Sequence, residues 1–145
     1  MRIVVVAVGR VKDRALRAGL DDYFGRVRRY VPCDEIELAD APAAKLEPAF
    51  LKATAEATTI ALEIGGRALG SDVFSRELGK LSARHKGIVA FLIGGADGLP
   101  PAISRAAHDR WSLSALTFPH RLARLVLVEQ VYRAMTILRG EPYAH

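Results

Sequence analysis

Residues 88–98 have the sequence IVAFLIGGADG, in which a short apolar run ends at a cluster of glycines. The run Ile88–Ile93 has no polar side chain, which is typical of a strand buried on both faces of a parallel sheet. Gly94, Gly95 and Gly98 remove side chains directly after it, where backbone could approach a ligand closely. A tight turn before a helix explains the same glycines equally well. The stretch therefore predicts an α/β fold and a candidate site, without naming a ligand.

Strands and helices are predicted to alternate on both sides of this run. The other predicted strands are Arg2–Val8, Glu35–Ala39, Thr58–Ile64 and Trp111–Leu116. The predicted helices cover approximately residues 13–31, 47–57, 71–84, 100–107 and 121–138, with Asp13 and Ser71 as N-caps and 40–48 as a mobile connection. Apolar strands separated by helices predict a mostly parallel sheet with helices on both faces. Residues 1–145 are expected to form one domain.

Ligands of open α/β sheets bind beyond the carboxyl ends of the strands. Loops 62–66, 94–98 and 116–119 leave predicted strands at that edge. The glycine spacing in 94–98 matches neither the dinucleotide-binding fingerprint nor the phosphate-binding loop. Asp97 is predicted to cap the following helix rather than to bind a ligand.

The segment Leu113–His120 alternates Ser and Thr with apolar residues and contains Pro119. Its backbone groups could bind the edge of a purine while Leu116 and Phe118 cover the two faces of the base. A half-buried strand followed by a turn is the alternative interpretation. His120 is expected to be a cap or a packing residue, because that is the commoner role of a lone histidine before a helix.

The last predicted helix has apolar residues on all its sides. They are Leu122, Leu125, Val126, Leu127, Val128, Val131, Tyr132, Met135 and Leu138. A helix that is apolar all round is buried all round, so this one either threads into the core or packs against a second subunit. We therefore expect a dimer with Val128 and Tyr132 at the interface and with Arg124 partnered in or beside it.

Charge and composition narrow the classes of function. The 145 residues include 21 Lys and Arg against 16 Asp and Glu, which gives a net charge of +5. This excess permits a polyanionic partner such as nucleic acid, although it also serves solubility alone. Cys33 is the single cysteine, which excludes an intrachain disulfide and a cysteine-based zinc site. The apolar run Ile3–Val8 is too short for a membrane span or signal peptide, so a cytoplasmic protein without membrane contact is expected.

Several segments taken together resemble the ribosomal RNA large subunit methyltransferase H family. The glycine loop follows the family pattern across Phe91–Leu99. The C-terminal signature is Leu113–His120 followed by Arg124 and Glu129–Ala134, and Ala7–Lys12 and Leu62–Gly66 also match. The resemblance covers the whole chain, and this combination of motifs is specific to the family.

The resemblance implies a SPOUT fold, in which the C-terminal part of the chain forms a trefoil knot, and a homodimer with cofactor sites near the interface. It implies methyl transfer from S-adenosyl-L-methionine to N3 of a pseudouridine in 23S rRNA of the assembled ribosome, without a metal. The implied cofactor-binding residues are Leu62, Gly94, Gly95, Leu113, Ser114, Ala115, Leu116, Thr117 and Phe118.

The family also places a Tyr–His pair near the methyl donor, and the tail of this chain departs from that pattern. Tyr143 is followed by Ala144, and His145 comes one position later. A one-residue shift moves a side chain by about 3.3–3.6 Å along an extended chain, so Tyr143 and His145 remain the candidate catalytic residues. The expected contacts to rRNA phosphates are Arg10, Lys12, Arg26, Arg28, Arg29 and Arg133, although each could be a solvated surface side chain.

Three other functions fit parts of the same pattern. A SPOUT methyltransferase could act on another rRNA site or on tRNA, and a ribosome-binding homologue could keep the fold without catalysis. The third is a generic nucleotide-binding α/β protein, against which the absence of both phosphate fingerprints counts. Cofactor binding separates the non-catalytic homologue from the enzymes.

Overall fold

A computed structural model describes residues 1–143 of the chain and divides them into five strands and five helices. The strands are β1 (Arg2–Val8), β2 (Cys33–Leu38), β3 (Thr58–Ala68), β4 (Ile88–Ile93) and β5 (Asp109–Ser112). The helices are α1 (Arg14–Arg28), α2 (Ala43–Ala53), α3 (Ser71–Ser82), α4 (Pro101–Ala106) and α5 (His120–Leu138). The strands form one sheet in the order β2-β1-β4-β3-β5, and every neighbouring pair is parallel. The predicted α/β fold with a parallel sheet is confirmed.

The side chains of β1 show how the sheet is covered on both faces. Every second residue from Ile3 to Ala7 joins a core cluster with apolar residues of α1, α3 and α5. Every second residue from Val4 to Val8 packs on the opposite face with residues of α2 and α4. The uninterrupted apolar pattern of β1 follows from burial on both faces, as expected for an inner parallel strand.

The helix α2 begins earlier than predicted. Its first residue is Ala43, directly after Pro42, so most of the connection that was expected to be mobile is helical. Pro48 lies inside this helix, where its missing N–H would ordinarily favour a helix end. Burial of Leu46 and Phe50 against the sheet stabilises the helix nonetheless, because packing of an apolar face outweighs local propensity.

The strand β3 continues through Gly65–Gly66, where it was predicted to end. It pairs with β5 again beyond these glycines. A Cβ on Gly66 would lie 2.7 Å from the carbonyl carbon of Trp111, so glycine is what permits this close approach. The strand β5 ends at Ser112, earlier than predicted, and the residues 113–119 form a loop instead.

Of the N-caps predicted at Asp13 and Ser71, the first is confirmed and the second is wrong. Asp13 Oδ1 accepts a hydrogen bond from the Leu16 N–H at 2.8 Å, as a capping side chain does. Ser71 is the first residue of α3, whose N-cap is Gly70, and its hydroxyl donates to Gln130 Oε1 at 2.7 Å. The Ser71 side chain therefore joins α3 to α5 rather than closing the end of its own helix.

The helix α5 is not buried on all its sides within a single chain. Leu127, Val128 and Val131 are fully buried, whereas Leu122 is 40% exposed. The prediction that Val128 lies at a subunit interface is therefore wrong, because the core of its own chain covers this side chain. Tyr132 is half-buried. The apolar residues on the remaining face of α5 are those still available to a partner.

Candidate functional site

A cavity of about 510 Å³ opens at the carboxyl edge of the sheet, where β3, β4 and β5 lead into their loops. It is lined by Leu62, Glu63, Ile64, Ile93, Gly94, Gly95, Ala96, Gly98, Leu99, Pro101, Ser104, Ser112, Leu113, Ser114, Leu116, Thr117, Phe118, His120 and Ala123. All the residues predicted to bind a cofactor, except Ala115, belong to this lining. The structure thus brings three loops that are distant in sequence around one space, at the edge where α/β sheets bind ligands.

The glycine turn, Gly94–Gly98, needs glycine for steric reasons. A Cβ on Gly94 would lie 2.2 Å from the carbonyl carbon of Gly98 and 2.4 Å from the nitrogen of Leu99. The Gly98 N–H donates to the Gly95 carbonyl oxygen at 3.0 Å, and Gly98 has a φ of +79°. The tight turn that the sequence suggested is therefore confirmed, and its glycines also line the cavity.

The prediction that Asp97 caps the following helix is wrong. The N-cap position of α4 is Pro100, and no side chain caps this helix. Asp97 is exposed in the glycine turn. Proline is tolerated at the start of a helix because the N–H groups of the first turn have no partner within the helix. The helix α4 therefore begins at its prolines without a capping side chain.

Two serines fix the conformation of the loop after β5 through hydrogen bonds within the loop. The Ser112 hydroxyl donates to the Ser114 carbonyl oxygen at 2.9 Å, and Ser114 Oγ accepts from the Leu116 N–H at 3.0 Å. The Leu116 side chain is 70% exposed although it lines the cavity. An exposed leucine at the edge of a cavity offers an apolar surface for one face of a ligand.

His120 lines the cavity, which the sequence pattern did not predict. It is the first residue of α5 and half-buried, and the N-cap of that helix is Pro119. Burial, reinforced by the positive charges of Arg121 and Arg124, lowers the pKa of His120, while Asp40 acts in the opposite sense. The imidazole is therefore neutral at neutral pH and presents a donor and an acceptor without a charge.

A second cavity of about 240 Å³ lies on the other side of the glycine turn. Gly95, Ala96, Gly98 and Leu99 line both cavities, and Asp40–Ala43 close the far side of the smaller one. The glycine turn is a thin partition between the two spaces because it carries few side chains. The walls of the smaller cavity come from segments far apart in the sequence, so no local pattern indicates it.

Arg124 lies in a buried ion cluster between α5, α1 and β2. Its side chain is 0% exposed, and Nη1 donates to Glu35 Oε2 at 2.8 Å and also to Glu37 Oε2. Its Nη2 donates to the Gly9 carbonyl oxygen at 3.1 Å. Arg17 supplies a second cation, 2.5 Å from Glu35 Oε1. Arg124 therefore finds its partners within its own chain, and the prediction that they lie in or beside a subunit interface stays a prediction.

Tyr143 folds back onto α5 and α1. Its hydroxyl donates to Glu129 Oε2 at 2.8 Å, and its ring packs edge-on against Tyr132 with centroids 4.6 Å apart. Burial, with hydrogen bonds to Tyr23 and Glu129, raises the pKa of Tyr143, so the phenol is protonated at neutral pH. Tyr143 is not among the residues that line the cavity of its own chain. His145 lies outside the described residues.

The predicted RNA-binding residues differ in how freely their charges face solvent. The exposed ones are Arg10, Lys12, Arg28 and Arg29. Arg26 pairs with Asp22 at 3.1 Å and Arg133 pairs with Glu129 at 2.7 Å, so those two charges are partly neutralised. Nε of Arg28 donates to a backbone carbonyl oxygen at 2.8 Å. Arg10, Lys12 and Arg29 are therefore the best placed of the six to meet a polyanion.

Metal-binding clusters and membrane-spanning helices are both absent from residues 1–143. No group of three or more His, Cys, Asp or Glu side chains in that range is arranged to hold a metal ion. None of the helices in the same range is long and apolar enough to cross a bilayer.

Comparison with known proteins places this arrangement among methyltransferases. Residues 1–145 match the family model described as Predicted SPOUT methyltransferase. The chain is 67% identical over 145 residues to Ribosomal RNA large subunit methyltransferase H of Sorangium cellulosum, with 100% of each chain covered. It is 40% identical over 157 residues to the protein of the same name from Bacillus pumilus, with 99% of each chain covered.

The fold is also found in solved structures of low sequence similarity. A probable methyltransferase from Bordetella pertussis has a TM-score of 0.59 at 13% identity, with 92% of this chain and 93% of that chain covered. A probable methylase family protein from Haemophilus influenzae has a TM-score of 0.59 at 11% identity, with 96% and 67% covered. At these identities the likeness shows a common fold.

Proposed function

This chain belongs to the SPOUT methyltransferase family, within it to the ribosomal RNA large subunit methyltransferase H family, and from that premise we propose its reaction. It transfers the methyl group of S-adenosylmethionine to N3 of a pseudouridine in 23S rRNA, acting as a knotted homodimer on the assembled ribosome in the cytoplasm. The observation that carries this proposal is the larger cavity, whose wall unites the three loops that resemble the family's motifs.

The cavity has the size and lining that an adenosyl cofactor requires. Its volume lies within the range of roughly 300–1,000 Å³ that small-molecule sites occupy. Gly94 and Gly95 offer backbone without side chains, Leu116 and Phe118 offer apolar surface for a purine, and the loop around Ser114 offers backbone donors and acceptors for its edge. The cofactor, when bound, supplies an electrophilic methyl group on sulfur, and the residues of the chain supply orientation.

Methylation of a ring N–H releases a proton, which a nearby base would accept. Glu63 and His120 are the titratable side chains among the described residues that line the cavity. Tyr143 and His145 remain our candidate catalytic residues from the tail, with His145 as the candidate base and Tyr143, whose phenol is protonated, as a hydrogen-bond donor. Because Tyr143 does not line the cavity of its own chain, its participation requires that the tail of a second subunit reach the cavity. The homodimer is in that case part of the mechanism.

The decisive test is methyl transfer to ribosomes from a strain that lacks this gene. Purified protein and labelled cofactor should add one methyl group per 23S rRNA, which mass spectrometry should locate at N3 of a pseudouridine. Ribosomes of the parent strain are the control, because their target is already methylated. Labelling of tRNA or of another rRNA nucleotide would instead favour the alternative SPOUT activity. Cofactor binding without any labelling would favour a non-catalytic ribosome-binding protein.

Cofactor binding should depend on pH through His120. The pKa of this side chain lies below its ordinary value, so it gains its charge only as the pH falls below about 6.5. A charged His120 would add to the positive charges of Arg121 and Arg124 and would repel a cationic sulfonium. Among the described residues, Asp40 is the one acidic side chain that acts on His120 in the opposite sense. We expect calorimetry to show affinity falling roughly threefold to tenfold between about pH 7.5 and pH 5.5. The variant His120→Gln should bind equally at both; an unchanged pH dependence in this variant would assign the effect elsewhere.

Dimerisation should be sensitive to the exposed face of α5. Leu122 is 40% exposed, so Leu122→Glu should leave the fold of a single chain intact while placing a charge in a subunit interface. Sedimentation is expected to show dimers for the wild type and monomers for Leu122→Glu. The control is Leu51→Glu on α2, because Leu51 is 59% exposed and α2 packs on the opposite face of the sheet. A monomeric wild type at micromolar concentration would remove the dimer from the proposal.

The tail should contribute to methyl transfer more than to cofactor binding. Deletion of residues 143–145 is expected to lower the rate on ribosomes at least tenfold, or about 1.4 kcal/mol. Calorimetry should show cofactor affinity changed by less than about threefold, because the glycine turn and the loop after β5 remain. His145→Ala should reproduce part of the loss. A tail deletion with the wild-type rate would mean that water or a cavity residue accepts the proton.

A further inference from the structure

The loop Gly9–Lys12, between β1 and α1, is held by hydrogen bonds to its backbone. Arg124 Nη2 donates to the carbonyl oxygen of the first loop residue at 3.1 Å. The Val11 N–H donates to Glu37 Oε2 at 3.1 Å, and Glu37 in turn accepts from Arg124 Nη1. We call Arg124 and Glu37 the loop clamp, because together they fix the loop to α5 and to β2.

The loop clamp engages the backbone and leaves the cationic side chains of the loop free. Val11 is 7% exposed, so the middle of the loop is anchored in the core. Arg10 and Lys12 on either side of it are exposed. Nε of Arg121 donates to the Arg10 carbonyl oxygen at 3.2 Å, which adds a third side-chain hydrogen bond to the loop backbone. Arg10 and Lys12 are therefore exposed cations on a backbone that three side chains hold in place.

The loop lies against the first turn of α5, and this turn also lines the larger cavity. A Cβ on Gly9 would be 3.8 Å from His120 Nε2, and the φ of Gly9 is +92°, a conformation that favours glycine. His120 and Ala123 line the cavity, and Arg124 is the next residue along the helix. The start of α5 thus lines the larger cavity on one side and holds the cationic loop on the other.

We propose that the loop clamp is a positioning device for RNA. Arg124 and Glu37, together with the hydrogen bond from Arg121, fix the loop so that its two cations meet rRNA phosphates beside the larger cavity. This rests on the proposed function, since a ribosomal substrate supplies the phosphates. Arg124 and Glu37 do not touch the RNA themselves and act through the loop. A loop ordered in advance loses less conformational freedom on binding, which favours affinity for the ribosome.

The ionisation of Glu37 suits this role. Burial alone would raise the pKa of Glu37, but the hydrogen bonds from Arg124 and from the Val11 N–H outweigh burial and lower it. The carboxylate is therefore ionised at neutral pH and accepts from both donors. Hydrogen bonds to an ionised acceptor are roughly twice as strong as those between neutral groups, which suits a loop that must stay ordered beside exposed cations.

The two glutamates of the ion cluster provide a matched pair of variants. Glu35 and Glu37 both accept from Arg124, but Glu37 alone of these two accepts from the loop backbone. Glu37→Gln should raise the KM for undermethylated ribosomes at least fivefold, with kcat and calorimetric cofactor affinity within twofold of the wild type. Glu35→Gln removes a charge from the same cluster and should change KM by less than twofold.

Two further readouts separate loop positioning from general stability. In Glu37→Gln the Val11 amide should exchange its hydrogen at least tenfold faster. The salt dependence of ribosome binding should also weaken, by about 0.7–0.9 in log–log slope for each phosphate that the loop no longer neutralises. Equal effects of Glu35→Gln and Glu37→Gln on KM, or an unchanged Val11 exchange rate, would overturn the proposal.

A second variant decides the matter if Glu37→Gln does not fold. Arg121→Lys keeps the charge at an exposed position but removes the Nε donor to the loop. It should raise the ribosome KM at least threefold without altering cofactor affinity, and a KM equal to that of the wild type would overturn the proposal. If the wild type binds cofactor but methylates no rRNA, the proposed function has failed instead, which the wild-type control reveals independently of these variants.

Discussion

Replacing Gly94 with alanine should weaken cofactor binding at least about 100-fold, or roughly 2.7 kcal/mol. The added Cβ would lie 2.2 Å from the carbonyl carbon of Gly98 and 2.4 Å from the nitrogen of Leu99. Both of these atoms belong to the backbone, so no side-chain rotation can relieve the overlap. The glycine turn must therefore open, and it lines the larger cavity, where we propose that the cofactor binds. Isothermal calorimetry with S-adenosylmethionine measures the loss directly.

The matched control for this variant is Gly65→Ala. Gly65 lies in β3, close to the same edge of the sheet, and a Cβ there meets no atom within 4 Å. The control should bind cofactor within about threefold of the wild type, and thermal unfolding should show that both variants are folded. Wild-type affinity in a folded Gly94→Ala protein would show that the cofactor does not bind against the glycine turn.

Replacing Arg124 with methionine should lower the free energy of unfolding by about 3–5 kcal/mol. The substitution removes the fully buried cation that contacts both Glu35 and Glu37, and it leaves Arg17 alone to compensate the two carboxylates. That loss is a large share of the roughly 5–15 kcal/mol by which domains of this size are stable. Urea denaturation at neutral pH measures the difference. The control is Arg2→Met, whose exposed pair with Asp34 should contribute less than about 1 kcal/mol.

The penalty of the Arg124 substitution should also shrink in acid. The pKa of Glu37 is lowered in the folded chain, so the stability that its ion pair contributes is present above its ordinary pKa and is lost as the pH falls through the lowered value. A protonated Glu37 no longer needs Arg124. The free energies of unfolding of wild type and Arg124→Met should therefore draw together as the pH falls through the lowered pKa of Glu37. A gap that stays constant with pH would mean that lost packing, rather than uncompensated charge, causes the destabilisation.

Local patterns were sufficient to predict the layers of the fold and most of the cavity wall. Apolar strands such as Arg2–Val8 and Ile88–Ile93 are buried on both faces, and their uninterrupted runs of apolar residues indicate that burial directly. The strand-end rule then placed the loops after β3, β4 and β5 at one edge. Each of these inferences depends on neighbours in the sequence or on a general property of parallel sheets.

Local patterns did not predict the features that a distant partner decides. The strand β3 continues beyond Gly65 and Gly66 because it pairs with β5 there. The sequence of neither strand alone predicts this pairing. Arg124 is surrounded by apolar residues on its helix, and its partner Glu35 lies 89 positions away. Tyr143 likewise packs against Tyr23 and Tyr132, so its position depends on α1 and α5 rather than on the tail sequence. The roles of Tyr143 and His145 remain predictions for the kinetic experiments.

The order of strands in the sheet has a consequence for how fast the chain can fold. Arg2 pairs in register with Ile88, so the central pairing of β1 with β4 closes a loop that spans more than half of the chain. The pairing of β3 with β5 likewise joins strands that are not consecutive in the sequence. Chains dominated by such non-local contacts have high contact order and fold slowly, in milliseconds to seconds or longer. On the ribosome, β1 and β2 emerge first but cannot be completed as a sheet until β4 has been synthesised, so the nascent chain must keep its apolar strands apart during that interval.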